Sequence, residues 1–246
     1  MQNSQYLLSV AILLLLSTLL VDKGNAQQKQ PTNTSFGITA SIGASTHLNN
    51  FRFVSGDIDL DFTPSFTTSY NAGFIVRQKL TDRLRFQAEP SLSRMGASYS
   101  EAFELRGFNF QTESQTKLLY VQVPLLLQIS TVPPEVTVYG RHRSQTTYHI
   151  TTGIYGGYLM NAQFSGENTG APIGIEFSGT FSNNVLDQYS DFDAGTILGL
   201  GFEYGYGTKI GLEGRVHFSV IDSGDADDFT FKPQNLAMSI TGYFLF

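Results

Sequence analysis

Few residues in this 246-residue chain have the means to do chemistry, and they are far apart. Glu89, Glu203 and Glu213 could supply the paired carboxylates of a hydrolase, one giving a proton while the other takes it. Such a pair needs a Ser or His partner at an open rim, and the sequence offers no such set. The four histidines, His47, His142, His149 and His217, lack metal-ligand spacing with one another. His217 sits near Arg215 and reads as part of a charge network. The run Asp222-Ser223-Gly224-Asp225-Ala226-Asp227-Asp228 is acidic enough for calcium but lacks the spaced Asp/Asn-Gly pattern and closing Glu of a calcium loop. That run and the alternating Asp57, Asp59 and Asp61 read as solvated acidic loops. Arg141-His142-Arg143 reads as a solvated basic turn ahead of a site for a partner or lipid head groups. With no cysteine, thiol enzymes, zinc fingers, iron–sulfur proteins and disulfide scaffolds are excluded. The expectation is no enzyme: no catalytic residue, no cofactor and no metal.

Composition narrows the class that positions these groups. Charged residues are 15% of the chain, against roughly 25% in soluble domains, while aromatics reach 13%. A net charge of −6 excludes generic nucleic-acid binding, which needs a basic surface to neutralise phosphates. Twenty Phe and 12 Tyr supply too much burial for a disordered chain. Mean hydropathy is only −0.07, far from that of a helical membrane protein.

The apolar run Leu7-Leu8-Ser9-Val10-Ala11-Ile12-Leu13-Leu14-Leu15-Leu16 leads to the small-x-small site Gly24-Asn25-Ala26. This predicts a secretory signal peptide over 1–26, cleaved after Ala26, although residues 1–6 carry no Lys or Arg. A polar lead is expected over 27–34 and a single domain over 35–246. No later apolar run is long enough for a spanning helix, so a membrane location requires a closed barrel.

Period-two alternation recurs along the mature chain and predicts eight strands. The outward sets begin with Phe36, Ile38, Ala40 and Ile42, then Phe66, Tyr70, Phe74 and Val76, then Leu84, Phe86, Ala88 and Leu92. The fourth strand sets Leu119, Val121, Val123, Leu125, Leu127 and Ile129 opposite Tyr120, Gln122, Gln128 and Ser130. The fifth sets Tyr148, Ile150, Ile154, Tyr158, Met160 and Phe164 opposite His149, Thr151, Gly153 and Asn161. Phe192, Leu198, Leu200 and Tyr204 mark the sixth, Ile210, Leu212, Val216 and Phe218 the seventh, and Leu236, Met238, Ile240, Phe244 and Phe246 the last. Turns of about four residues join strands two to three and six to seven, whereas 47–64, 97–116, 165–190 and 221–233 read as long polar links. The 131–145 link, with Pro133-Pro134, breaks that alternation. Short turns at one end and long links at the other are the pattern of an up-and-down outer-membrane barrel.

The opposite faces are small or polar and carry Arg77, Arg85, Glu89, Glu203, Glu213 and Arg215. An eight-stranded barrel is only wide enough for side chains to fill, so these charges are expected to pair inside as a structural network and plug a polar lumen. Gly195, Gly199, Gly201 and Gly211 make room for them, and Tyr148, Tyr158, Tyr204 and Tyr243 suit an interfacial girdle. A soluble lipocalin-type barrel would have the inverse pattern.

The chain closes on Gly242-Tyr243-Phe244-Leu245-Phe246, in which Tyr243, Phe244 and Phe246 look like the carboxy-terminal signal read by the barrel-assembly machinery. Beyond this, Gln87-Ala88-Glu89-Pro90-Ser91-Leu92-Ser93, Leu119-Tyr120-Val121-Gln122-Val123-Pro124-Leu125-Leu126-Leu127, Thr152-Gly153-Ile154-Tyr155-Gly156-Gly157-Tyr158-Leu159, Asp191-Phe192-Asp193-Ala194-Gly195 and Leu212-Glu213-Gly214-Arg215 carry a resemblance. The sequence resembles the PorT-like outer-membrane β-barrel family of Bacteroidota, small barrels of the OmpA/OmpX type. It departs in the enlarged 131–145 link and in the long stretch 166–184. The resemblance implies an accessory role in type IX secretion only faintly, since most members have no assigned activity.

The sequence therefore predicts an all-β, eight-stranded antiparallel transmembrane barrel of the bacterial outer membrane, preceded by a signal peptide. Its expected role is non-enzymatic: structural, surface-recognition, or accessory to secretion or assembly. The expected partners are outer-membrane lipid, the assembly machinery during insertion, and secretion or surface proteins through the long loops; a monomer is expected. The alternatives are a small channel and a soluble exported ligand-binding barrel.

Overall fold

The computed structural model describes residues 33–55, 58–105, 108–131, 137–138, 141–142, 145–171, 176–205, 207–222 and 233–246. The expected signal peptide, most of the polar lead, Asp57, Arg143 and the acidic run from 223 lie outside the described residues, as do the side chains of Asp59, Asp61, Arg141 and His142.

Strands form wherever the alternation is sustained: β1 (Thr34–His47), β2 (Thr67–Lys79), β3 (Leu84–Ala88, continued by Ser91–Leu105), β4 (Phe108–Ser130), β5 (Gln145–Gly170), β6 (Phe192–Gly205), β7 (Lys209–Ser219) and β8 (Asn235–Leu245). Each pairs antiparallel with the next, and β8 pairs with β1, setting Ile240 opposite Ile42. The ring has no first or last strand, which is how a sheet satisfies its backbone groups in lipid. β3 is interrupted at Glu89-Pro90, since proline has no N–H to give the ladder. There the Glu89 N–H donates to Pro124 O at 2.9 Å, and Pro90 O accepts from the Phe74 N–H at 3.0 Å. The turn between β2 and β3 is tied by Thr81 Oγ1, which accepts from the Leu84 N–H at 3.0 Å. Lys79 lies 2.7 Å from Asp82 in the same turn and, by hydrogen bond and charge, holds that carboxyl below the ordinary range.

The outward positions form an apolar belt. On β6 it runs from Phe192 to Tyr204, with Leu198 61% and Leu200 66% exposed. At about 3.3 Å per residue and a tilt of about 40°, that run stands about 30 Å tall, close to a bilayer's hydrocarbon thickness. Tyr158 against Phe192 (5.4 Å) and Arg94 over Tyr70 (5.3 Å) mark its long-strand margin, and Phe244 and Phe246 mark the short-turn margin. Leu198→Arg, at mid-belt, is expected to destabilise the barrel by about 2 to 4 kcal/mol. Urea unfolding in phosphatidylcholine vesicles checks this, with Glu167→Arg, beyond the belt, near neutral.

Three expectations are corrected. Stretches 97–116 and 165–190 are largely strand rather than loop: β3 and β4 continue as a hairpin to Leu105 and Phe108, and Phe177–Asn184 pairs back on β5. Phe51–Ser55 and Ile58–Phe62 likewise pair within the 47–64 link. Polar Ser, Thr, Gln and Asn fill the outer parts of these extensions, where both faces stand in water, so no apolar period announces them. Finally, β5 shifts register between Leu159 and Asn161, and this bulge inverts the inward and outward phase of the later residues. Ala162 becomes buried, Asn161 turns out, and Phe164 packs toward the interior rather than outward.

Candidate functional site

The interior is a stack of layers, and the strands set each. Nearest the short turns, four strands converge on Glu203. Arg77 Nη1 donates to its Oε2 at 2.6 Å, Lys209 Nζ to its Oε1 at 2.9 Å, and Arg85 Nη1 also to Oε1. Tyr243 Oη donates to Oε2 at 3.3 Å, while the Arg77 guanidinium lies 5.0 Å from the Tyr243 ring centroid. Gln87 joins this layer to the next, accepting from Arg77 Nε at 2.5 Å and donating to Glu89 Oε1. In the second layer Arg215 grips Glu89 with both ends of its fork, at 2.5 and 2.8 Å, and Nη2 also donates to Glu213 Oε2 at 3.2 Å. His149 Nε2 lies 3.4 Å from the same Glu213 oxygen.

All six charges singled out in the sequence, Arg77, Arg85, Glu89, Glu203, Glu213 and Arg215, are thus buried and drawn into two linked clusters. Two glycines leave the space. A Cβ on Gly211 would collide with the Tyr243 ring, and one on Gly199 with Glu213 Oε1.

A third layer centres on Asp193, which accepts from Ser219 Oγ at 2.5 Å and from Tyr155 Oη and Asn235 Nδ2 at 3.2 Å. Above it an apolar cluster joins the polar side chains. Met95, Leu118, Tyr120, Leu159, Ala162 and Ala237 form a buried cluster closed by Val185 and Tyr189, from the short turn after Phe177–Asn184. His47 Nδ1 meets Tyr99 Oη at 2.6 Å beside it. Gly96, at φ +154°, turns its backbone inward so that Ser45 Oγ both donates to its O and accepts from its N–H at 3.0 Å. The lumen is thus charged toward the short turns, while toward the long strands an apolar cluster stands among buried polar side chains such as Ser45, His47, Ser114 and Thr116. Tyr243, expected in the girdle, is instead 4% exposed and inside, because its odd phase on β8 points it to the lumen.

Sequence reasoning missed Gln87, Lys209 and the Val185–Tyr189 cap. The first two share the inward phase of residues already chosen, a signal that would have found them; the cap lies in no strand. Among the described residues no group of acidic and histidine side chains could hold a metal. Glu89, Glu203 and Glu213 are each engaged by arginine and almost fully shielded from water, so the carboxylate pair of a hydrolase is not assembled from them.

The family model for the outer membrane protein beta-barrel domain matches residues 25–225. No curated protein matches the sequence. Among solved structures, Ail, the attachment invasion locus protein of Yersinia pestis, is similar at 11% identity and TM-score 0.36, over 87% of this chain and 99% of that one. The outer membrane protease OmpT of Escherichia coli is similar at 9% identity and TM-score 0.40, over 90% and 99%. Neisserial surface protein A is similar at 10% identity and TM-score 0.32, over 85% and 97%. Likenesses at these identities and TM-scores say nothing of function. A closed eight-stranded ring, an outward apolar belt and a family match over most of the chain lead to one conclusion: the protein belongs to the outer-membrane β-barrel domain family and resides in the bacterial outer membrane.

Proposed function

We propose that the protein is a non-enzymatic surface-recognition barrel with a sealed lumen, presenting a protruding sheet to the outside of the cell. The observation that carries this reading is the edge strand Phe177–Asn184. Among the described residues it pairs only with β5, so one row of its backbone donors and acceptors stays open. Natural sheets guard such edges with charges, proline or bulges. This one has the sequence Phe-Ser-Gly-Thr-Phe-Ser-Asn-Asn, with none of these guards. Phe181 is anchored 5.4 Å from Phe164, which holds the strand in place for an incoming extended segment to add on. Short turns face the periplasm in such barrels, which sets the edge outside. The seal supports this reading over a channel, and the outward apolar belt over a soluble barrel.

Export through the signal at 1–26, insertion guided by the Tyr243, Phe244 and Phe246 signal, and a monomeric state complete the reading. An accessory role in secretion rests on the PorT-like resemblance, and the same edge would serve it. The test uses bacteria displaying the wild-type barrel or the Ser178→Lys/Thr180→Lys variant. Wild-type cells are expected to bind immobilised extended, strand-forming polypeptides, and the variant to lose most of that binding while keeping its heat-modifiable gel migration. Equal binding by the variant overturns the edge as the recognition element. Discrete currents from the pure wild-type protein in a planar bilayer overturn the seal.

A further inference from the structure

The layers balance in sum but not in place. Among the described residues the lumen holds four cations, Arg77, Arg85, Lys209 and Arg215, and four carboxylates, Glu89, Asp193, Glu203 and Glu213. Asp193 lies at the long-strand end and is held by neutral donors, and Glu89 and Glu213 share Arg215. That leaves Glu203 as the carboxylate that Arg77, Arg85 and Lys209 all contact, three cations on one anion at the periplasmic mouth. Arg77 Nη2 is buried there without a partner. Two surplus positive charges in a narrow, partly dry lumen are costly without a counter-charge. Solvent reaches this layer, since the Lys209 side chain is 27% exposed and the Arg85 side chain 10%. Arg83 is exposed on the neighbouring turn and adds to the field there.

We infer that the periplasmic mouth is a binding site for a small water-soluble oxyanion of the phosphate type, held by Lys209 and Arg85, with the buried Arg77 guanidinium adding its charge behind them. Guanidinium forks and a mobile ammonium suit tetrahedral oxyanions, which accept several charge-assisted hydrogen bonds at once. These groups point into the barrel, behind its wall, so a lipid head group in the surrounding bilayer does not reach them.

The test titrates inorganic phosphate into the full-length protein in neutral maltoside micelles, at constant ionic strength set with chloride. The micelles carry no phospholipid, so a response there comes from the free ion. A saturable heat of binding and an upward shift of the thermal midpoint are expected. Lys209→Met is expected to weaken the binding about tenfold or more, and Arg85→Gln likewise. Both variants' folding is verified by heat-modifiable migration. The same shift with chloride alone, or unchanged phosphate binding in both folded variants, overturns the site.

Discussion

Replacing Glu203 with Gln is expected to destabilise the barrel by about 3 to 5 kcal/mol, because it strips the counter-charge from a buried cluster without removing the cations. Arg77 and Arg85 approach Glu203 from β2 and β3, Lys209 from β7, and Tyr243 from β8. One carboxylate thus ties four strands across the lumen. The amide retains the shape but accepts with one oxygen and carries no charge, so it opposes neither guanidinium. Urea unfolding in vesicles measures the loss. Lys209→Met in the Glu203→Gln background is expected to recover part of it, since it removes one of the stranded charges, and the two changes are therefore non-additive. A loss below about 1 kcal/mol, within the range of exposed ion pairs, would show that water screens the cluster.

How far the lumen is legible in the sequence depends on phase. Arg77, Arg85, Glu89, Glu203, Glu213 and Arg215 share the face opposite the aromatic one, and in a ring this narrow that alone brings them together. Which carboxylate meets which cation depends on stagger between strands far apart in the chain, as with Arg215 and Glu89, and no local spacing encodes it. The bulge at Met160 is hidden for a similar reason. Period two continues on either side of it, so Phe164 reads as outward from sequence alone, and only the register with β4 reveals the inversion. The outer ends of the extensions are illegible because both of their faces meet water. There the pairing of Ser100 with Glu113, or of Gln163 with Asn184, has no apolar signature.

The second large effect concerns the cap. Tyr189 is 6% exposed and packs with Met95, Leu118 and Tyr120, its ring 6.4 Å from His47. Burial holds its phenol well above the ordinary value, so the ring stays neutral. Tyr189→Ala removes a buried aromatic ring, a change that typically costs about 3 to 5 kcal/mol. Because Tyr189 belongs to a short turn rather than to the closed ring, the loss is expected first as local opening. Amide exchange should accelerate across 185–190 while the strands stay protected. Conductance tells the layers apart. Tyr189→Ala alone is expected to pass no discrete current, since the Glu203 and Arg215 clusters still span the lumen beneath it. Joined to Glu203→Gln it is expected to pass small currents, because both the apolar and the ionic seal are then weakened. Currents from Tyr189→Ala alone would make the apolar cap the sole barrier and demote the ion clusters to bracing between strands.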